Sequence, residues 1–234
     1  MYTLYPLIAS LPSFCTRRRR LHDYPGGGTF VVCCRLDGSI TRPAAARVKA
    51  IVEQYGTSVP PEVYWAASAE ERVGFRRAKA EGKVDRRTLN GPFHLHHNEA
   101  VRKCVIEAIE FREGTHWEVI AYTIMPNHIH LVVRHVHPTW HMGKVLQHFK
   151  RHTARACNKI LGLIDQAFWQ EESFDAIVGR QAYLRDHVNY VMQNPVVGGL
   201  AADWRAWPGN WVRPDAEAYV VTRSVRAKPQ ARLA

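Results

Sequence analysis

"HWEVIAYTIMPNHIHLVVRHV" occupies residues 116–136. Two runs rich in Val, Ile and aromatic residues flank a single Pro-Asn pair. This pattern predicts a β-hairpin, with strands over 116–125 and 128–136 joined by a turn at Pro126-Asn127. The second strand carries His128 and His130. Side chains two apart on a strand point to the same face, so both imidazoles lie side by side on one surface of a sheet. That surface is either ordinary packing or the beginning of a metal site.

The neighbouring stretches supply the rest of a domain. "NEAVRKCVIEAIEF" (98–111) has a capping Asn98 and an apolar stripe of Val101, Val105, Ile106 and Ile109 at helical period. "GKVLQHFKRHTARACNKILG" (143–162) is amphipathic: Val145, Leu146, Phe149, Ala156 and Ile160 face inward, Lys144, Lys150, Arg151, Arg155 and Lys159 outward, and Gly162 ends it. "FDAIVG" reads as a short strand, and "RQAYLRDHVNYVMQN" (180–194) as a helix closed by Pro195. Upstream, "GTFVVCCRLDGSI" (28–40) is a strand ending in an Asp-Gly turn. Residues 43–90 form a polar helical insertion after it. The order strand, insertion, helix, strand, strand, helix, strand, helix predicts an α+β fold: a ferredoxin-like antiparallel sheet with helices on one face. Residues 1–215 are read as one domain, with 16–28 as a basic irregular arm and 216–234 as a basic tail.

Composition narrows the function. Lys and Arg number 32 against 21 Asp and Glu, a net charge of +11, which favours a polyanionic partner, most simply nucleic acid. The five cysteines, at 15, 33, 34, 104 and 157, are odd in number and contain no CxxC, so neither a disulfide framework nor a cysteine zinc site is expected. The apolar start of the chain precedes its positive charges, the reverse of a signal peptide, and no apolar run is long enough to span a membrane. A cytoplasmic protein with reduced thiols is expected.

Two imidazoles rarely hold a divalent ion well without a third ligand and open positions for substrate. A second HxH, in "HLHH" (94–97), sits in a loop before a helix cap and is read as no site. The helix 180–194 is more informative. Tyr190 and Asn194 stand at i and i+4 and share a face, their Cβ atoms roughly 6 Å apart. Asn194 offers an amide oxygen and Tyr190 a phenol. The plain alternative is a packed tyrosine and a helix-terminal asparagine. His148 and His152 are read as packing or phosphate contacts, and Trp204, Trp207 and Trp211 as core residues rather than base-stacking ones.

"AYTIMPNHIHLVV", "FWQEESFDAIV" and "YVMQNPVVGGLA", in that order, resemble the motifs of the HUH-type single-tyrosine transposases, specifically the REP-associated branch. The resemblance extends over roughly residues 24–212; Val197, Gly198 and Gly199 depart from the branch's usual pattern. It implies that His128 and His130 are the metal-binding pair, that Asn194 is the polar ligand, and that Tyr190 is a nucleophile forming a 5′-phosphotyrosine. Mg²⁺ or Mn²⁺ suits such phosphate chemistry. The implied partner is single-stranded DNA with hairpins, REP-like palindromes, bound by a monomer or homodimer at the nucleoid. Lys144, Lys150, Arg151, Arg155 and Lys159 would hold the backbone, and Arg17, Arg18, Arg19 and Arg20 a hairpin stem. Two rival readings remain: a binding module of the same fold without cleavage, and a metal-dependent phosphodiesterase that uses water.

Overall fold

A computed structural model describes residues 14–17, 21–82, 84, 91–171 and 173–221. Its core is a five-stranded antiparallel sheet. In chain order its strands are β3 (Thr29–Arg35), β4 (Trp117–Met125), β5 (His128–His135), β6 (Phe174–Ile177) and β7 (Asn210–Val212), arranged in space as β6-β3-β5-β4-β7. The first four neighbours reproduce the ferredoxin-like order, and β7 extends the sheet beyond β4. A separate hairpin, β1 (Phe14–Arg17) with β2 (Leu21–Tyr24), occupies part of the segment expected to be an irregular arm.

The hairpin at the centre forms as its sequence predicts. Met125 pairs with His128, leaving Pro126 and Asn127 as a two-residue turn. Pro126 presets φ for the turn, and the Asn127 carbonyl accepts a hydrogen bond from Leu36 N at 2.9 Å, tying the turn to the end of β3.

Helices cover both faces. Phe30, Val32, Leu131 and Ile129 point to one face, against α5 (Glu99–Glu110) and α6 (Met142–Leu161). Asn98 caps α5 by accepting from Val101 N at 3.1 Å, and Val101, Val105 and Ile109 are fully buried. Val31, Ile120, Ala121 and Val132 point to the other face, where α7 (Gln181–Val197) lays down Leu184, Val188, Val191, Met192 and Val196. The expectation of helices on one face is thus corrected. The α+β antiparallel architecture stands, but β3 and β5 are apolar on both sides, and such strands require a cover on each.

Two boundaries also move. Helix α7 runs past Pro195 to Val197, because a proline in the last turn removes only one intrahelical bond and Gly198 N still reaches Asn194 O at 2.8 Å. Residues 216–221 fold back instead of starting a tail: Ala216 and Tyr219 are buried against α7, and Gln193 Nε2 donates to Val221 O at 3.0 Å. The insertion is helical, with α1 (Arg42–Tyr55), α2 (Pro61–Ala66) and α3 (Ala69–Glu81) closing a small core of Ile40, Val48, Val52 and Phe75. Ser68 and Glu71 form a reciprocal cap at the start of α3. "HLHH" is a single helical turn, α4 (His94–His97), in which His96 stacks on Trp207. Trp204 and Trp207 are buried, whereas Trp211 is part-exposed and stacks on Tyr122. Cys33, Cys34, Cys104 and Cys157 are free, and among the described residues no helix is long and apolar enough to cross a membrane.

Phe149 is fully buried between Trp117 and Trp169, while Trp65 on the insertion is 71% exposed. Phe149→Ala should cost about 3–5 kcal/mol and Trp65→Ala within about 0.5 kcal/mol, measured as shifts in the urea midpoint. Equal shifts would show that the sheet–helix core is not where stability resides.

Candidate active site

The face covered by α7 carries rows of cross-strand partners. Phe174, Cys33, His130, Thr123 and Asn210 make one row; Arg35, His128 and Met125 make the next. Both histidines therefore project toward the helix that bears Tyr190, as the strand alternation requires.

Their surroundings differ. The ring centroids of His128 and His130 lie 4.9 Å apart with planes at 89°. His128 Nδ1 is 2.7 Å from Asn127 Oδ1. Donation of Nδ1–H to that amide would put the lone pair on Nε2, the arrangement in which an outer partner fixes the tautomer of a metal-binding histidine. His130 is only 6% exposed. Burial first, and the charge of Arg35 second, push its imidazolium down to about 3, so the ring is neutral at physiological pH. Burial likewise raises the neighbouring Cys33 thiol. Thr123, paired with His130 from the other side, is fully buried, and its Oγ1 has no hydrogen-bond partner among the described residues.

Tyr190 lies against this pair. Its ring meets that of His130 edge to face, centroids 5.4 Å apart. The residues around it on α7 anchor the helix, since Val188, Val191 and Met192 are buried to 0% while Tyr190 is 55% exposed. The phenol thus touches a buried histidine and remains open to a substrate. Asn194, one turn on, is half-buried, and its amide makes no hydrogen bond with any described residue. The donor set fits a hard divalent ion: two imidazoles, that of His130 held neutral by burial, and an uncommitted amide oxygen. Among the described residues no three His, Cys, Asp or Glu side chains converge, so a third ligand from the described residues would come from outside those four types, as the Asn194 amide does.

The cationic residues fall elsewhere. Helix α6 packs on the opposite face of the sheet from the histidines. Arg151, Arg155 and Lys159 are exposed on it, Lys144 Nζ sits 4.8 Å over the Trp140 ring, and Lys150 Nζ donates to the carbonyls of Gln170 and Glu171 at 2.6 and 2.7 Å. Lys150 therefore ties α6 to the segment leading into β6. His148 is a packing residue, its ring 4.4 Å from that of Trp140. Arg17 ends β1, and Arg18, Arg19 and Arg20 lie outside the described residues. Sequence reasoning passed over Asn127, Arg35 and Phe174. Strand alternation from His128, extended across a paired β3, is the signal that finds the second.

His130 yields a pH prediction for the metal-free protein. Its folded value of about 3 lies below the ordinary 6.5, so on acidification the unfolded chain binds a proton that the folded chain refuses. The corresponding stability is complete above about pH 6.5 and is lost progressively toward about pH 3. His130→Gln should reduce the slope of stability against pH in that window by about one proton, read from urea midpoints. An unchanged slope would place His130 in a wetter environment than its neighbours provide.

Residues 92–194, the segment holding the hairpin, the basic helix and most of the tyrosine helix, match the family model described as "Transposase IS200 like". The likeness to single-tyrosine transposases drawn from the motifs is borne out over that segment. A solved structure of a REP-associated tyrosine transposase bound to a REP hairpin covers 83% of this chain and 81% of its own, at 17% identity and a TM-score of 0.44. No curated protein matches.

Proposed function

We propose that this protein is a DNA-strand transferase that cleaves and rejoins single-stranded hairpin DNA, with Tyr190 as nucleophile and His128, His130 and Asn194 as the ligands of a divalent ion. The observation that carries the reading is the contact of Tyr190 with His130 within one chain, which needs no second subunit to bring the phenol to the histidines. The family match over 92–194 supports a transposase that acts on DNA.

The residues divide the work. His128, oriented by Asn127, and His130, held neutral by burial, present nitrogen lone pairs from a rigid strand. Asn194 adds an amide oxygen from the helix, one turn beyond Tyr190. Mg²⁺ or Mn²⁺ held there would neutralise charge at a non-bridging phosphate oxygen. The Tyr190 oxygen attacks phosphorus as its phenolic proton passes to solvent. The P–O3′ bond breaks, the 3′ oxygen takes up a proton, and the 5′ phosphate stays on the protein as a tyrosyl ester. Attack on that ester by the 3′ oxygen of another strand reverses the step and joins the DNA, with no nucleotide consumed. REP-like hairpins are the substrate class, by the motif resemblance and the basic charge of the chain.

Wild type and two variants test this. Wild type incubated with hairpin DNA and Mn²⁺ should give a covalent protein–DNA band that EDTA prevents. Tyr190→Phe should bind DNA and give no band, and a variant that still cuts without an adduct would instead establish water as the nucleophile. Asn127→Ala leaves the three ligands in place and should weaken Mn²⁺ binding about 10- to 100-fold, measured by titration calorimetry without DNA. Unaltered Mn²⁺ affinity would remove His128 from the ligand set.

A further inference from the structure

We infer that Arg35 is a catalytic residue of this site, its guanidinium holding the phosphodiester that lies over the histidine pair. The inference rests on the strand-cleaving reading above and adds a phosphate ligand that none of the sequence motifs contains.

Arg35 is the last residue of β3 and pairs directly with His128. Alternation along β3 puts it on the same face as Val31 and Cys33, the face toward α7. It is half-buried, and its charge reaches both His130 and Cys33. Yet among the described residues it has no carboxylate partner and no side-chain hydrogen bond. The other arginines placed like it are paired. Arg134, on the same sheet, forms a two-pronged bridge to Glu118 at 2.6 and 3.0 Å, and Arg213 holds Asp215 in the same way at 2.6 and 3.0 Å. A half-buried guanidinium beside two imidazoles, with no anion among the described residues to balance it, is an unfavourable arrangement. It becomes favourable when an anion arrives.

The shape of the group defines that anion. A guanidinium fork matches two non-bridging oxygens of one phosphate. Arg35 reaches the site from β3, the histidines from β5 and Tyr190 from α7, so a phosphate over the histidines meets a cation and a nucleophile carried by different elements. Charge that develops on the non-bridging oxygens as the phenol attacks is stabilised by a preplaced donor of this kind.

The probe is a DNA hairpin with single-stranded flanks, selected for binding from a randomised pool and prepared with one neutral methylphosphonate at each flank phosphate in turn. Binding is measured on Tyr190→Phe protein, which keeps Arg35 but not the nucleophile, with and without Arg35→Ala. At one phosphate the neutral linkage should weaken the arginine-containing protein about tenfold and leave the alanine protein unaffected. At every other phosphate the two should lose equally. Arg35→Lys should recover part of the affinity at the coupled position, since it keeps charge without the fork. Should alanine lower the melting temperature, Arg35→Gln, closer in size, takes its place. Equal losses at every phosphate overturn the assignment. Covalent adducts are scored separately on protein with Tyr190 intact. An adduct at the coupled phosphate supports both readings. Adducts without coupling defeat the role of Arg35 alone. Coupling without adducts defeats strand cleavage, and with it the catalytic role, and leaves Arg35 only as the residue that holds the phosphate.

Discussion

The site depends on one packing interaction, the apolar side of α7 pressed against the second face of the sheet. Leu184, Val188, Val191, Met192 and Val196 bury themselves on Val31, Ile120, Ala121 and Val132. That contact fixes the rotation of the helix, and the rotation decides what stands over the histidine pair. With Val191 and Met192 turned inward, Tyr190 is left at the border between helix and solvent, in edge contact with His130. The segment after β7 reinforces the same placement. Tyr219 and Ala216 pack beside the helix, and Val221 is held at both ends, donating to Asn189 Oδ1 and accepting from Gln193 Nε2.

Much of this was legible in the sequence, for identifiable reasons. The hairpin at 116–136 combines two strongly apolar runs with a Pro-Asn pair, both typical turn residues, so its place in the sheet followed from local chemistry. Likewise the caps at Asn98 and Gly162 marked helix ends that the structure keeps. The second helical layer was signalled only by the near-continuous apolar runs of β3 and β5, which carry Val31 and Val132 on the far face; which helix supplies the cover is not a local property. The segment 216–221 was misjudged because its composition is that of a tail; its burial comes from two residues, Ala216 and Tyr219, meeting a helix that lies some twenty positions earlier. Arginine 35 was missed because a single charge at a strand end carries no periodicity of its own.

Charge was the least transferable signal. The net +11 counts cations without direction. The cationic helix α6 lies behind the sheet, away from the histidines, and Lys150 is committed to two backbone carbonyls. A strand gripped by Arg151, Arg155 and Lys159 would have to pass around an edge of the sheet to reach the tyrosine. The edge on the β6 side carries Phe174, 52% exposed and in the same row as His130. Any path over it runs past an apolar ring before it meets the histidines.

The proposed chemistry makes two demands that oppose each other. Ligands for a divalent ion work best neutral, fixed in tautomer and shielded from water, which favours burial. A nucleophile that forms a bond to a polymer must stand where the polymer can reach it. The fold meets both by assigning the groups to different kinds of element. His130 sits in the centre of a strand, between the side chains of Cys33 and Thr123, where burial suppresses its protonation. Tyr190 sits on a helix, where a neighbour can be buried while the residue itself is exposed. Helical spacing then returns Asn194 to the same face one turn later, so the orientation that exposes the phenol also sets the amide. A nucleophile on the strand itself would have shared the burial of the histidines; ligands carried only by the helix would have shared the exposure of the tyrosine.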